Sequence, residues 1–371
     1  MKILVTIARI LVGGLFIFSG LVKAIDPFGL NYKMQEFFEV WASDGYLPGV
    51  MNWLNGHALF FTIIMITLEV ALGVALLAGW NKKFTLKLLL ALMLFFTFLT
   101  SYVLFSGKIR SCGCFGDCIP LTPMQTFTKD IILDLLILFL IWKQQYIEPL
   151  LKGYLPLAMV ILSVIATAFL QDHVMKHLPL VDCLPYKKGN NILELRKMPA
   201  NAIPDKFTYS FIYEKDNTKK EFLMDKLPDS SWKFVERKQT LIEKGSNNVP
   251  LINDFSLTDG TGADSTEAIL NLPHYYLLFL KQLDENNSKW ISEFVAISNK
   301  AKAQNVPVFI ITSETAKVNA FFNQQNNYNL PVYTCDATAI KTAARVNPAL
   351  FEMKGPVVQG KYSWANLDEV K

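Results

Sequence analysis

The residues that could do chemistry are concentrated in one short stretch, RSCGCFGDCIPLTP (110–123), which holds three of the chain's five cysteines. Cys112, Cys114 and Cys118 form a CxCxxxC pattern. A disulfide across one intervening residue closes a small, strained ring, and strained disulfides are labile and oxidising. A bridge from Cys112 or Cys114 to Cys118 is geometrically easier, and the remaining thiol could then attack or resolve it. The spacing favours thiol–disulfide exchange, with these three cysteines as candidate catalytic residues.

Two other interpretations of these cysteines stay open. A static disulfide could clamp the loop, or three closely spaced sulfurs could hold zinc or copper. No fourth ligand is evident near them in the sequence, so we assign no metal site. Two cysteines lie apart from the loop. Cys335 is expected to be a buried small hydrophobe, and Cys183 is the other thiol that could reach the loop.

The elements that must position this loop are predicted to cross a membrane. The chain of 371 residues is 51% hydrophobic and only 18% charged, which places part of it in lipid. Its net charge of +4 is small, and the sequence has no dense basic stripe that would support nucleic-acid binding. Five stretches are apolar and long enough to span about 30 Å of hydrocarbon. They are residues 4–24, 58–80, 84–106, 126–145 and 153–170.

The first stretch could also be a cleaved signal peptide, but Lys23 and Asp26 favour a retained helix. Positive charges in short loops mark the cytoplasmic side of a membrane. The five spans place these on one side: Lys2, Arg9, Lys82, Lys83, Lys87, Lys143 and Lys152. The opposite loops, 25–57 and 107–125, and the chain after the fifth span are then expected outside the cytoplasm. The cysteine loop is therefore predicted to face an oxidising compartment.

Charged residues inside the predicted spans form a second group that could do chemistry. Glu69 lies midway along the second span, far from other charges in the sequence, so it should be protonated or hydrogen-bonded. Lys129 and Asp130 lie in the outer half of the fourth span, and Asp134 follows one turn later. One hypothesis makes Glu69, Lys129 and Asp130 a proton site or the headgroup site of a quinone cofactor. The other makes them a structural polar cluster that fixes helix register.

Three segments of the membrane half resemble the DoxX-like and MauE-like family of bacterial membrane proteins. They are FIFSGLVKAIDPFG (16–29), LEVALGVALLAG (68–79) and CGCFG (112–116) with the later KDIIL (129–133). The resemblance implies a four-helix inner-membrane domain linked to thiol or quinone redox processes outside the cytoplasm. By position, Cys112 and Cys114 correspond to the family's CxC, whereas Cys118 has no such assignment.

The remainder of the chain reads as globular. FTYSFIYEK and TKKEFLMD around a DN turn predict a β-hairpin. From residue 252 strands and helices alternate, which predicts an α/β domain with strands INDFSL (252–257), YYLLFL (275–280) and VPVFIIT (306–312) and a helix over 288–304.

This α/β region resembles thioredoxin-like domains of the TlpA type, in which a helix leads into a cis-proline before a β-hairpin. Asn347–Pro348 occupies that place. Active members carry CxxC just after the strand equivalent to YYLLFL, but here that position reads KQLDENNSKW (281–290). The resemblance therefore implies a module that docks a periplasmic or envelope protein partner, or one that faces the membrane half, without a dithiol of its own.

The sequence thus predicts a multi-domain protein in which an α-helical transmembrane bundle carries a soluble α/β domain. Its predicted parts are a membrane domain (1–150), a fifth transmembrane helix (151–175), a connector with a small β-rich module (176–250) and a thioredoxin-like periplasmic domain (251–371). We expect thiol–disulfide or quinone-linked redox exchange at the bacterial inner membrane. The alternative is a non-catalytic scaffold or accessory subunit of an envelope complex with a structural disulfide.

Overall fold

The computed structural model describes residues 1–109, 113, 116–150, 152–215, 218–243, 245, 247–284 and 288–370. Cys112 and Cys114 therefore lie outside the described residues. The membrane half consists of helices α1 (Lys2–Ile25), α2 (Pro27–Ser43), α3 (Pro48–Gly56), α4 (Ala58–Ala78), α5 (Lys82–Ser106), α6 (Pro123–Trp142) and α7 (Leu155–His177). A 3₁₀ turn (Gln144–Tyr146) follows α6.

A helix forms at each of the five predicted spans. Within the described parts of the chain, four helices are long and apolar enough to cross a membrane, namely α1, α4, α5 and α7. The chain is thus a multi-pass membrane protein. Helix α6 is less apolar because it carries Lys129, Asp130 and Asp134, and its crossing of the membrane stays a prediction.

Small residues bring the two central helices together. A side chain on Gly73 of α4 would lie 2.8 Å from the backbone oxygen of Gly13 in α1, so these glycines permit the close crossing. Helix α6 packs on α5 and α1, and α7 packs on the outside of α4. The start of α6 is fixed by a capping box between Thr122 and Gln125, with Pro123 in the first turn of the helix.

The loop between α1 and α4 is a lid of two helices. Helix α2 buries Leu30, Met34, Phe37 and Phe38 against the bundle. Its N-terminal cap is Asp26, whose side chain accepts a hydrogen bond from Gly29 N. The first residue after α1 is thus also the cap of the next helix. This arrangement holds the lid close to the end of α1.

The connector contains a short helix α8 (Ile192–Leu195) and a three-stranded antiparallel sheet of β1 (Lys206–Lys215), β2 (Thr218–Leu223) and β3 (Lys233–Glu243) in the order β2-β1-β3. The predicted hairpin is present, although its DN turn at 216–217 lies outside the described residues. The third strand was not predicted, because its sequence KFVERKQTLIE alternates poorly between apolar and polar residues.

The C-terminal domain has one five-stranded mixed sheet with helices around it. Its elements are α9 (Thr266–Leu270), β4 (Tyr275–Leu280), α10 (Ser288–Ala303), β5 (Val308–Thr312), α11 (Thr315–Asn319), a π-helix (Ala320–Gln325), β6 (Val332–Thr334), α12 (Ala337–Ala343), β7 (Ala349–Lys354), β8 (Val357–Ser363) and a 3₁₀ turn (Leu367–Glu369). The strand order is β6-β5-β4-β7-β8, with β4, β5 and β6 parallel and β7 and β8 antiparallel.

Two of the sequence predictions for this domain have clear outcomes. The Asn347–Pro348 peptide bond is cis, as predicted. The prediction of a strand over INDFSL (252–257) is wrong, because this segment is irregular. The next residue, Thr258, makes an isolated bridge with Thr334. Its apolar residues Phe255 and Leu257 are buried in the core without a neighbouring strand, so an apolar run was mistaken for a strand.

Candidate functional site

The described part of the cysteine loop is covalently joined to the connector after α7. Cys118 forms a disulfide with Cys183, with a distance of 4.9 Å between their Cα atoms. The loop spacing favoured a bridge from Cys112 or Cys114 to Cys118, and the structure instead pairs Cys118 with a residue far along the chain. The reason is topological, because α7 returns the chain to the end of the bundle that carries the cysteine loop before Cys183.

The remaining described cysteine, Cys335, has an unreactive thiol. Cys335 is free and buried in the core of the C-terminal domain, as predicted. Burial raises the pKa of its thiol to about 11, so it is protonated and unreactive near neutral pH. The sulfur chemistry of the chain is therefore confined to the loop and the connector.

The C-terminal domain contacts the end of the bundle where α1 finishes, through a buried arginine. Arg345 Nε donates to Asp26 Oδ2 at 2.8 Å, and its Nη2 donates to Asp117 in the cysteine loop. Burial opposes the charge of the guanidinium, but the two carboxylates outweigh burial and raise the pKa of Arg345. The arginine therefore joins three parts of the chain: the end of α1, the cysteine loop and the C-terminal domain.

A lysine reinforces this contact from the end of β4. Lys281 Nζ donates to Tyr32 Oη at 2.9 Å and to Arg345 O at 2.8 Å, and it lies 4.8 Å from the centre of the Phe28 ring. Burial, aided by the nearby Arg345 charge, lowers the pKa of Lys281 to about 7. The side chain of Asn347 accepts a hydrogen bond from Lys281 N at 2.8 Å. The cis peptide and the end of β4 thus lie on the face that contacts the lid.

A second group of charges lies within the bundle, where two helices supply an ion pair. Lys23 Nζ lies 2.7 and 2.8 Å from the two carboxylate oxygens of Glu69, and Ser19 Oγ accepts from it at 3.1 Å. Both charged side chains are almost completely buried. Glu69 is therefore paired across α1 and α4, where the sequence predicted protonation or a hydrogen bond.

The two other predicted residues lie across a small cavity from this pair. Lys129 Nζ lies 2.5 Å from Asp130 Oδ1, and Thr100 Oγ1 donates to Asp130 Oδ2 at 3.0 Å. The cavity has a volume of about 20 Å³, and its lining includes Lys23, Glu69, Lys129 and Asp130. Such a volume holds about one water molecule. The structure therefore brings Glu69, Lys129 and Asp130 together around a space the size of a water rather than of a quinone ring.

Asp134, one turn further along α6, does not join this cavity. It accepts a hydrogen bond from Thr97 Oγ1 at 2.7 Å, on the neighbouring helix α5. Threonines of α5 thus bind both aspartates of α6, which fixes how these two helices face one another. Among the residues that the structure describes, no group of three His, Cys, Asp or Glu side chains could hold a metal ion.

Sequence reasoning missed most of the partners at these sites. Lys23 was noted as the end of a span, not as the partner of Glu69, although both lie in the segments that carry the family resemblance. Arg345 lies just before Asn347–Pro348, and nothing local marks it as a binding residue. One signal was visible: the dipeptide Asp-Cys occurs at 117–118 and again at 182–183, at the two cysteines that pair.

The fold and these sites define a class: a multi-pass membrane protein whose helical bundle carries a soluble mixed α/β domain. The comparisons with known proteins refine this class. Residues 1–143 match the family model described as methylamine utilisation protein MauE, so the chain carries a MauE domain at its N-terminus. Residues 207–244, which contain the small antiparallel sheet, match a domain of unknown function, DUF8463.

One curated relative is Protein TlpB of Flavobacterium psychrophilum, which is 30% identical over 138 residues. The match covers 36% of this chain and 35% of the relative, so the chain spans about a third of the length of the relative it matches. No solved structure matches the chain. The MauE part of the expected resemblance is thus confirmed, whereas the DoxX and thioredoxin-like parts stay predictions.

Proposed function

We propose that this protein takes part in thiol–disulfide or quinone-linked redox exchange on the periplasmic side of the bacterial inner membrane. The observation that carries the proposal is the position of the Cys118–Cys183 disulfide. It lies where the cysteine loop, the connector and the C-terminal domain meet, and the CxC pair precedes it by a few residues in the same loop. Two further cysteines therefore lie within six residues of Cys118 in the sequence.

The proposed exchange transfers two electrons between the two cysteine pairs. A thiolate of Cys112 or Cys114 attacks a sulfur of the Cys118–Cys183 disulfide, a new S–S bond forms, and the displaced sulfur leaves as a thiolate. The second CxC thiolate then attacks the mixed disulfide and releases the other sulfur. The CxC pair ends as a disulfide, and Cys118 and Cys183 end as two thiols. A dithiol protein or a quinol then gives two electrons to the CxC disulfide and restores its two thiols. A disulfide of a partner protein or a quinone takes two electrons from the Cys118 and Cys183 thiols and restores their disulfide.

In this proposal the charges of the bundle control protons at the outer leaflet. Glu69 and Asp130 each hold a lysine, and both ion pairs adjoin the same water-sized cavity. Buried ionisable residues inside a membrane commonly mark proton or cofactor sites. The size of the cavity supports a proton site, and a quinone headgroup would contact these residues only from the mouth of the cavity.

The C-terminal domain is proposed to be a thioredoxin-like domain that docks rather than reacts. The order of its elements and its cis-proline support this fold, and the segment after β4 has no cysteine. The face that contains Lys281 and Asn347 packs on the lid of the membrane domain. A periplasmic partner protein would therefore bind either another face of this domain or the same face after it opens.

The proposal is tested by following the oxidation state of each cysteine in cells. Spheroplasts grown under oxidising and reducing respiratory conditions are treated with a membrane-impermeant maleimide, and the cysteine peptides are weighed before and after reduction. We expect Cys112 and Cys114 to be labelled and their labelling to change with respiratory conditions. A Cys335→Ser variant serves as the matched control, because its buried thiol should contribute no signal. Invariant oxidation of Cys112 and Cys114 would refute the redox function.

The alternative function is an accessory subunit of an envelope complex, in which the disulfide is structural. The observation that favours it is the clamp-like position of Cys118–Cys183 between the loop and the connector. If this alternative holds, the double variant Cys112→Ser/Cys114→Ser should leave the function of the envelope complex in cells unchanged. The redox proposal expects that variant to be inactive while it retains normal amounts of folded protein.

A further inference from the structure

Each cysteine of the disulfide follows an aspartate, and each aspartate is bound by a buried cation of the C-terminal domain. Asp117 accepts a hydrogen bond from Arg345, and Asp182 Oδ2 lies 2.5 Å from Lys361 Nζ. The side chains of Arg345 and Lys361 are only 6% and 7% exposed. The same domain therefore holds both ends of the disulfide, although neither cation belongs to the loop or to the connector.

The two cations are held at a fixed separation by the sheet. Arg345 lies just before the cis peptide that leads into β7, and Lys361 lies on β8. The two strands pair antiparallel, with Phe351 opposite Lys361 and Ala349 opposite Ser363, and the register shifts between Glu352 and Met353. Arg345 lies outside β7, but its backbone oxygen accepts from Lys281 Nζ at the end of β4, which pairs with β7. The sheet therefore constrains the separation of the two cations and of the aspartates they bind. That distance in turn keeps the adjoining cysteines in bonding range.

We propose that Arg345 and Lys361 are positioning residues that couple docking of the C-terminal domain to the oxidation state of Cys118 and Cys183. The inference rests on the proposed function for its biological role, since the coupled disulfide is the one that the CxC pair would exchange with. Coupling between two equilibria is reciprocal. Docking therefore makes the disulfide harder to reduce, and reduction of the disulfide weakens docking.

The ion pairs also alter the electrostatics of the sulfurs. A free aspartate beside a cysteine opposes formation of the thiolate, whereas an aspartate paired with a cation opposes it much less. Arg345 and Lys361 thus neutralise the two carboxylates that lie next to the leaving sulfurs. This electrostatic effect favours a thiolate and therefore opposes the geometric one, and we expect the geometric effect to be the larger of the two.

The coupling is measured on the full chain in detergent, with Cys112→Ser and Cys114→Ser introduced so that only the Cys118–Cys183 pair exchanges. The protein is equilibrated with mixtures of reduced and oxidised dithiothreitol, which gives up two electrons and closes to a cyclic disulfide as the protein pair becomes two thiols. Alkylation and peptide mass spectrometry give the reduced fraction. Arg345→Gln and Lys361→Gln should each shift the equilibrium constant towards the dithiol about tenfold, or ~30 mV.

The matched control is Lys197→Gln, which breaks an exposed ion pair with Glu194 and should leave the equilibrium unchanged. Charge reversal separates coupling from a general loss of stability: Lys361→Asp should favour the dithiol, and the added Asp182→Lys should restore the disulfide. If the Gln variants match the wild type, or if the reversed pair is no better than the single change, the inference is overturned.

A measurement on the full chain with Arg345 and Lys361 unchanged keeps the test decisive even if their variants misfold. Hydrogen exchange in residues 341–348 should be faster after reduction of the disulfide than before, and equal protection in the two states would overturn the coupling. These outcomes are independent of the proposed function. Failure of the redox function would be seen as invariant oxidation of Cys112 and Cys114, which are absent from the titrated protein.

Discussion

Lys23 and Arg345 are both buried cations paired with carboxylates, yet they join different parts of the chain. Lys23 joins α1 to α4 within one bundle, whereas Arg345 joins the C-terminal domain to the end of α1 and to the cysteine loop. The first pair is buried between the helices of the bundle, with side chains that are only 3% and 5% exposed. Water can reach the edge of the second site, since Asp117 is 44% exposed. The first pair is therefore a permanent part of the fold, and the second is suited to open and close.

The largest expected effect breaks the pair in the bundle. Glu69→Leu leaves Lys23 with an uncompensated charge, and the free energy of unfolding in detergent should fall by about 3–5 kcal/mol. The double variant Lys23→Met/Glu69→Leu removes both charges and should recover most of this loss. Denaturant titration followed by near-UV circular dichroism measures both. A single variant as stable as the wild type would show that the two side chains are not an ion pair.

The same double variant also tests whether Glu69 has a role beyond the stability of the bundle. If the pair only fixes helix register, the stable double variant keeps the thiol–disulfide exchange proposed above. If Glu69 controls protons, the double variant is folded but inactive, because no carboxylate replaces it at the cavity.

The next effect weakens the contact between the two domains. Arg345→Gln removes the charge that binds Asp26 and Asp117, at a cost of about 2 kcal/mol in docking, the low end for a buried interfacial pair. Hydrogen exchange in the lid around Tyr32 should then be roughly 30-fold faster. Lys341→Gln is the matched control, because its ammonium lies 5.5 Å from the centre of the Tyr32 ring and pairs with no carboxylate among the described contacts, while its backbone oxygen still accepts from Arg345 Nη1. Equal protection in wild type and Arg345→Gln would mean that Arg345 does not hold the domains together.

A smaller effect depends on pH. The pKa of Lys281 is about 7 when docked and is expected near its ordinary value of 10.5 when the domain opens. Between these values only the open form binds the proton, so docking should strengthen as pH rises from about 7 to about 10 and should not respond to this group below 7. Lys281→Met should abolish the slope. Hydrogen exchange of the lid at several pH values, corrected for intrinsic rates, measures it.

The charges that face Lys281, namely Arg345, Lys341 and Asp26, remain in the Lys281→Met variant. Any pH dependence that survives the substitution therefore belongs to groups other than Lys281. A slope of unchanged size would show that Lys281 keeps its proton in the docked state.

The smallest expected effect comes from an exposed ion pair, which serves as a reference for the buried ion pairs. Lys206→Gln breaks the pair with Glu243 (2.6 Å), whose side chains are 66% and 62% exposed. Such pairs contribute less than about 1 kcal/mol, so the unfolding midpoint should hardly change. A large loss here would mean that burial is not what separates the strong pairs from the weak ones.

The sequence allowed prediction of the helices more readily than of their contacts. Apolar length identified each membrane helix, and the cis-proline was placed correctly from the run of elements around it. The pairing of Glu69 with Lys23 was missed because residues that meet across a bundle are distant in the chain. The segment 252–257 was assigned as a strand because apolar character does not tell a paired strand from an irregular buried segment.

The interface between the domains was the least predictable part. Arg345 and Lys281 lie in different elements from Asp26 and Tyr32, and no local pattern reports such contacts. The choice of Cys183 as the partner of Cys118 has the same origin, because a disulfide between remote residues is set by topology and not by spacing in a loop.

The disulfide also sets how far the C-terminal domain can travel from the bilayer. Helix α7 ends at His177, and Tyr186 already belongs to the core of the soluble domain. Fully extended, the chain between them reaches roughly 30 Å, but only roughly 10 Å of slack remains beyond Cys183 while the S–S bond is intact. The intact disulfide thus limits the separation of the C-terminal domain from the bundle, and reduction of the disulfide increases the separation that the connector allows.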